Sequence, residues 1–386
     1  MKHPETGGLY RWTRADFGPW HGFLAFWVYW VGIAFWFPSA AMFYVSIALS
    51  GQGLSENRAG LVIVSLAAIW VALGTNLIGV NIGKWTENLG ASASWILGAL
   101  LVTVAVLVWR RNGSATVFHL MPDFSWDTIS FWATIAYAMT GLEMVGLMGG
   151  EIRDPQRNLP RAAWISSVFA TLFYVGTTMA LLVVLRPGRI GELNGLAQVG
   201  STAGQILGTP WLSRVIVLLV LATAIGQFGG LGTTVSRMPF AAGADHLFPA
   251  AFAKIHPRWN TPYISILTLG VVASGLLVAL QFGDTLRAAY QALVSLMVIA
   301  GFLPYLYVFG SAWKAGKRWS ASSGIGMTML AVVCSVVPTG EVHNVWLFEL
   351  KLAGGTAAMV ASGWLIYRRY RKSIKSRGDL PSLSTS

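Results

Sequence analysis

The chain has 386 residues, 55% of them hydrophobic and only 11% charged, with a mean hydropathy of +0.60. A soluble protein carries about 25% charged residues, so a water-soluble globule is excluded, and the apolar runs are too long and continuous for the alternating strands of a membrane β-barrel. The formal net charge is +12, but the basic residues sit in short loops between apolar runs and in the C-terminal tail, a pattern of membrane topology and anionic headgroups rather than of a nucleic-acid partner.

Ten apolar stretches, each near the roughly 20 residues that a bilayer requires, predict transmembrane helices over about 21–49, 59–79, 88–109, 127–149, 161–185, 211–236, 262–281, 284–310, 323–339 and 345–367. Met1 to Trp20 is polar and lacks the apolar core of a signal peptide. The first span is rich in Trp and Tyr and contains Pro38, where a kink is expected. The longest connections are 110–126, 186–210 and 237–261; prolines punctuate the last, which is expected to hold a short interfacial helix. An even number of spans puts both termini on one side. The weight of Lys and Arg there, including Arg368, Arg369, Arg371, Lys372, Lys375 and Arg377, places that side in the cytoplasm of a multi-pass cell-membrane protein. Arg110 and Arg111 run against that bias. The tail over 372–386 is basic, then serine-rich, and is expected to be disordered. Cys334 is alone and lies in an apolar span, so no disulfide frame or thiol metal site is expected.

The stretch with most chemistry runs from Phe131 to Arg161. It begins as a span, carries Gly141 and Glu143, and ends in the charged loop from Glu151 to Arg161. Glu143 lies about 12 Å from Glu151 along a helix, well inside the membrane. A carboxyl there is costly and marks a functional candidate, able to bind a proton or tie helices together. A glycine beside it weakens the helix. Tyr137-Ala138-Met139-Thr140-Gly141 is therefore a candidate broken-helix site, where the carbonyls of Ala138 and Met139 could accept from an ammonium. On the first span Tyr29 and Trp36 are seven residues apart and share a helix face. They are candidates to line the same cavity, with packing or interface anchoring as the alternative. Gln227 and Gln291 are mid-span amides expected to bridge helices. No hydrolase nucleophile motif, zinc-protease motif or phosphate-binding loop is present, and an enzyme is not expected.

Three stretches together resemble the amino acid–polyamine–organocation superfamily of permeases. The first is Gly7-Gly8-Leu9-Tyr10-Arg11-Trp12 with Phe17-Gly18-Pro19. The second, and most specific, is Gly141-Leu142-Glu143 followed by Glu151 through Pro160. The third is Ser236-Arg237 through Ala244-Asp245, with Pro249 and Thr261-Pro262. The resemblance implies an all-α polytopic membrane protein with a leucine-transporter-like inverted-repeat fold. Its usual pattern has twelve helices, and the ten spans match the third to the twelfth. On that register the chain is one transporter domain over 1–371. Residues 1–126 are the remainder of a first repeat, 127–310 a second repeat and 311–371 two extra helices. The register implies an N-terminally truncated chain, through an incomplete gene model or as a natural ten-helix protein.

The resemblance further implies secondary transport of an amino acid or related amine by alternating access, as permease or antiporter. The alternative is a non-transporting homologue acting as a membrane scaffold or sensor. Tyr137 falls where the family places an aromatic gate over its substrate. Thr233 and Thr234 fall on the helix from which sodium-coupled relatives take hydroxyl ligands, with helix packing as the alternative. Some proton-driven relatives carry a lysine near the position of Ser94 and Trp95, and this chain has none between Asn88 and Trp109. No cofactor is expected. H⁺ or Na⁺ is the candidate coupling ion, through Glu143, Thr233 and Thr234, and exchange of two substrates is an equal alternative. Expected partners are the substrate, the lipid bilayer and, through the last two helices, a second copy of the chain.

Overall fold

A computed structural model of the chain describes residues 8–50, 57–118, 126–141, 154–191, 193–244, 248–282, 285–339 and 342–376. Among them every long element is helical: α1 Gly8–Phe17, α2 Pro19–Ala48, α3 Arg58–Ile78, α4 Val80–Asn112, α5 Trp126–Ala138, α6 Pro155–Val184, α7 Gly195–Leu207, α8 Leu212–Ala244, α9 Tyr263–Leu280, α10 Leu286–Lys314, α11 Arg318–Val336 and α12 Val345–Ser376. Single 3₁₀ turns lie at Pro187–Arg189 and Ala250–Ala253.

Eight of these helices, α2, α3, α4, α6, α8, α9, α10 and α11, are long and apolar enough to cross a membrane. The chain is an all-α, multi-pass membrane protein. α12 has 32 residues, with Glu349 and Lys351 near its start and an arginine-rich end. Several boundaries differ from the hydropathy pattern for local reasons. α6 starts inside the charged loop, at Pro155, because proline is pre-organised for the first helical turn. α8 continues through Pro239 to Ala244, and among the described residues of the connection beyond it the 3₁₀ turn is the one regular element. α2 runs through Pro38 without interruption of its helical assignment. α1 and α7 are too short and polar to register as spans. α1 buries Leu9, Tyr10 and Thr13 against α2 and leaves Arg11 and Asp16 exposed. α7 lays Gly200 on the α8 backbone at Ser213.

α2 is the centre. The most apolar window of α2 is 72% buried, against 11% for that of α6. Its aromatic residues Phe23, Phe26, Trp30 and Phe37 are fully enclosed. Hydrocarbon tails are as apolar as leucine, so helix association here rests on close packing and hydrogen bonds instead of the hydrophobic effect. Glycines supply the close packing. A Cβ built on Gly90 of α4 would lie 2.5 Å from the Gly226 Cα of α8. A Cβ on Gly32 of α2 would lie 3.1 Å from the Ala300 Cβ of α10. α12 docks on α2 through the Trp27 indole, which donates to the Met359 carbonyl at 2.9 Å and lies over Gly363.

The helix pairings have a two-fold regularity. When α2, α3 and α4 are exchanged for α8, α9 and α10, the α4–α8 pair becomes α10–α2. In the same way α2–α3 becomes α8–α9, α3–α8 becomes α9–α2, and α3–α4 becomes α9–α10; all of these pairs are in contact.

The Gly90–Gly226 crossing generates a stability prediction. Gly90→Ala and Gly226→Ala each force two backbones apart and are expected to cost about 1–3 kcal/mol, seen as a lower thermal midpoint in detergent. Gly74→Ala, whose Cβ meets nothing within 4 Å, is expected to stay within about 0.5 kcal/mol of the parent. Equal behaviour of the two sites would remove the crossing from the account of stability.

Candidate functional site

α5 stops after Ala138, thirteen residues from Trp126. Its end lies at the level of Gly301, near the middle of the span α10. Two bonds close the last turn: Met139 N–H donates to the Ala136 carbonyl at 3.2 Å, and Thr140 N–H to the Tyr137 carbonyl at 2.9 Å. The Thr140 hydroxyl donates to that same Tyr137 carbonyl at 2.7 Å. Gly141 then turns the chain with φ +103°, a backbone that an L side chain adopts only with strain. The helix thus ends three residues before Gly141, and Ala138 and Met139 at that end are both exposed. Glu143 lies outside the described residues.

Tyr137 anchors this helix end. Its ring lies directly over Gly301 of α10, in the space that a Cβ there would fill, and meets Phe302 edge-on at 6.1 Å between centroids. The same turn of α10, Ala300 and Gly301, receives Gly32 of α2. Tyr29 and Trp36 stand three residues before and four after Gly32, so both belong to the α2 face that meets α10 and its neighbours. Tyr29 is buried, and Trp36 meets Phe228 of α8 at 5.3 Å. The structure therefore gathers Tyr137, the Gly301 turn and the Gly32 face into one neighbourhood.

Thr233 sits elsewhere, on the α3–α8 contact, and Thr234 follows it on α8. The Thr233 hydroxyl donates to the Gly229 carbonyl at 3.0 Å and lies 3.4 Å from Asn76 Oδ1. Asn76 in turn donates to the Phe228 carbonyl at 3.3 Å. Thr233 is part of an interhelical polar knot. Among the described residues no group of three or more His, Cys, Asp or Glu side chains could hold a metal ion.

The sequence profile of the amino acid permease family matches residues 1–348. The chain belongs to that family. An uncharacterised transporter of Legionella pneumophila is 24% identical over 97% of this chain and 86% of its own length. A protein of Lactococcus lactis named as a probable agmatine/putrescine antiporter is 23% identical over 94% of this chain and 82% of its own. The serine/threonine exchanger of Bacillus subtilis is 26% identical over 68% of this chain and 59% of its own.

Within this permease, Gln227 is an interhelical bridge as expected, whereas Gln291 ties α10 to the segment that follows α11. Gln227 Oε1 accepts from the Tyr44 hydroxyl at 2.8 Å, and Gln291 Oε1 from the Thr339 hydroxyl at 2.6 Å. The sequence reading passed over Gly301 and Asn76. Gly301 sits beside Ala300 in an apolar span, and a small-residue pair there is a packing signal. Nothing in its pattern says that an aromatic ring from α5 fills the space. Asn76 is an uncharged polar residue in a span, the kind expected to bond across helices.

The Tyr137–Gly301 fit predicts a coupled pair. Gly301→Ala is expected to cost about 1–3 kcal/mol by displacing the ring. Tyr137→Ala should recover most of that loss in the double variant, giving a coupling energy of about 0.5–3 kcal/mol. Additive effects on the detergent unfolding midpoint would separate the two residues.

Proposed function

We propose that this permease is a secondary transporter that moves amino acids or related amines across the cell membrane by alternating access, as an antiporter or an ion-coupled carrier, with both termini cytoplasmic. The observation that carries this reading is the end of α5 at Ala138, held by Tyr137 against the middle of the span α10. A helix end at that depth frees backbone groups, and such groups in a membrane serve where they line a cavity. On this reading the carbonyls of Ala138 and Met139 take the substrate ammonium, Thr140 and Gly141 shape the turn, and Tyr137 covers the substrate from the α10 side. Tyr29 and Trp36 contribute from α2. The names of two relatives, an antiporter of agmatine and putrescine and an exchanger of serine and threonine, support an amine-bearing substrate.

For coupling, exchange and protonation of Glu143 are favoured over sodium. The Thr233 hydroxyl is already engaged with Gly229 and Asn76. Ser94 spends its hydroxyl on the Gly90 carbonyl at 2.9 Å and lies 3.2 Å from the Thr223 hydroxyl, which ties α4 to α8 at the position where some proton-driven relatives carry lysine.

The test is counterflow in proteoliposomes with labelled agmatine, putrescine, serine and threonine, with and without sodium and pH gradients. Saturable uptake stimulated by internal substrate is expected; linear uptake without trans-stimulation for every compound defeats the reading. Gly141→Leu places a side chain at positive φ, a strain of roughly 1–2 kcal/mol, and is expected to weaken apparent affinity about tenfold. Wild-type affinity in a folded Gly141→Leu protein would place the substrate elsewhere. Glu143→Gln is expected to flatten the pH dependence of uptake, and an unaltered profile would take Glu143 out of the coupling.

A further inference from the structure

A cleft of about 380 Å³ opens between α4 and α6, away from the site described above. That is within the roughly 300–1,000 Å³ of ligand pockets. Its floor is closed by Phe173 of α6, whose ring fills the space over Gly98 of α4, with Trp95 packed on Phe173 at 5.8 Å. One turn further along, the helices part. A Cβ built on Gly176 would meet only a Val102 methyl, at 3.9 Å. From there the walls are apolar, including Val106 and Trp109 of α4 and Met179 and Val183 of α6, with Ser114 and Phe118 at the far end. Val106, Trp109 and Met179 are exposed, so the cleft is open sideways along the length of two spans.

The far end is basic. Arg110 and Arg111 follow Trp109 directly, and Arg186 and Arg189 follow α6. The two ends are joined: Ala115 N–H donates to the Val183 carbonyl at 2.9 Å, and the Thr116 hydroxyl to the Leu185 carbonyl at 3.0 Å. All four arginines are exposed. They also oppose the topological bias of the chain, in which Lys and Arg concentrate on the other side, so topology gives no reason for them.

We propose that this cleft binds an anionic phospholipid, with one acyl chain between α4 and α6 and the phosphate on the arginines at its mouth. The apolar walls match an acyl chain and offer an amine or amino acid almost no polar partner. Guanidinium groups pair with phosphate through two parallel hydrogen bonds, and an exposed tryptophan at the same level is an interfacial anchor. A second copy of the chain would meet four positive charges at the mouth, which disfavours a self-contact there.

The test uses the purified full chain, delipidated in detergent and titrated with dioleoylphosphatidylglycerol or dioleoylphosphatidylcholine. Thermal midpoints and native mass spectra are recorded together. Phosphatidylglycerol is expected to raise the midpoint by about 3–6 °C more than phosphatidylcholine. Gly176→Leu fills the cleft and should abolish that response while its lipid-free midpoint stays at or above that of the parent. Ala180→Leu is the second filling variant if Gly176→Leu does not fold. Neutralising Arg110, Arg111 and Arg186 to Gln should make the two lipids equivalent. Equal responses of the parent to both lipids overturn the proposal, as does a phosphatidylglycerol response that survives filling of the cleft. A filling variant that changes the oligomeric mass but keeps its lipid response assigns the cleft to a second copy and overturns it as well.

Discussion

The bilayer supplies no water to an unpaired backbone group, and this constraint governs the middle of the molecule. α5 ends beside Gly301, near the middle of the span α10, so its last carbonyls need partners from the protein itself. Part of the answer is local: Thr140 turns both its backbone N–H and its hydroxyl onto the Tyr137 carbonyl. The rest is tertiary. Tyr137 is seated in the space that Gly301 leaves on α10, which fixes the helix end against a helix that itself packs on α2. Without a glycine at position 301 the ring has no seat, and without the ring the break has no anchor.

The same α10 turn receives Gly32 of α2, so the helix end is placed by a crossing of two scaffold helices. The Gly90–Gly226 crossing of α4 and α8 is its counterpart under the exchange that relates the pairings. Each crossing lets two long helices approach at backbone distance, where dispersion and Cα–H contacts replace the hydrophobic effect. Polar side chains reinforce both. Ser94 reaches Thr223 across α4–α8, and His21 meets the Tyr307 hydroxyl across α2–α10, while Tyr44 and Asn76 tie α2 and α3 to α8. The pairing of α2, α3 and α4 with α8, α9 and α10 supports an assignment of these helices to two related units.

Much of this could be read from the sequence. The class follows from composition alone, and the spans from windows of apolar residues, because the bilayer imposes length and polarity directly. An end of α5 near Gly141 was legible because a glycine in a span weakens the helix around it. What joins the break to α10 was not legible. Gly301 and Gly32 are ordinary small residues in apolar runs, and their meaning lies in which ring or backbone faces them, a matter of three-dimensional register. Thr233 shows the converse. The family resemblance implied an ion site there and its glycine neighbours implied packing, and the structure shows its hydroxyl bonded to its own helix and facing Asn76. α1 and α7 escaped because hydropathy windows of span length average out short amphipathic helices.

Packing is unevenly distributed, and this bears on how such a protein could move. α2 and α10 are largely enclosed, while α6 presents Trp164, Phe169, Leu172 and Val175 on its surface. α5 contacts α10 and α11, and α6 contacts α4 and α7. Neither is woven into the crossed set of α2, α3, α8 and α9. Segments with few enclosing contacts open at lower free energy than the core they rest on. A displacement of α5 and α6 against that set would carry Tyr137 across the Gly301 turn, and the glycine offers the ring a smooth surface there. Both α2–α10 and α4–α8 would stay closed through such a motion. The end of α5 can therefore change its exposure while the helices that place it remain fixed.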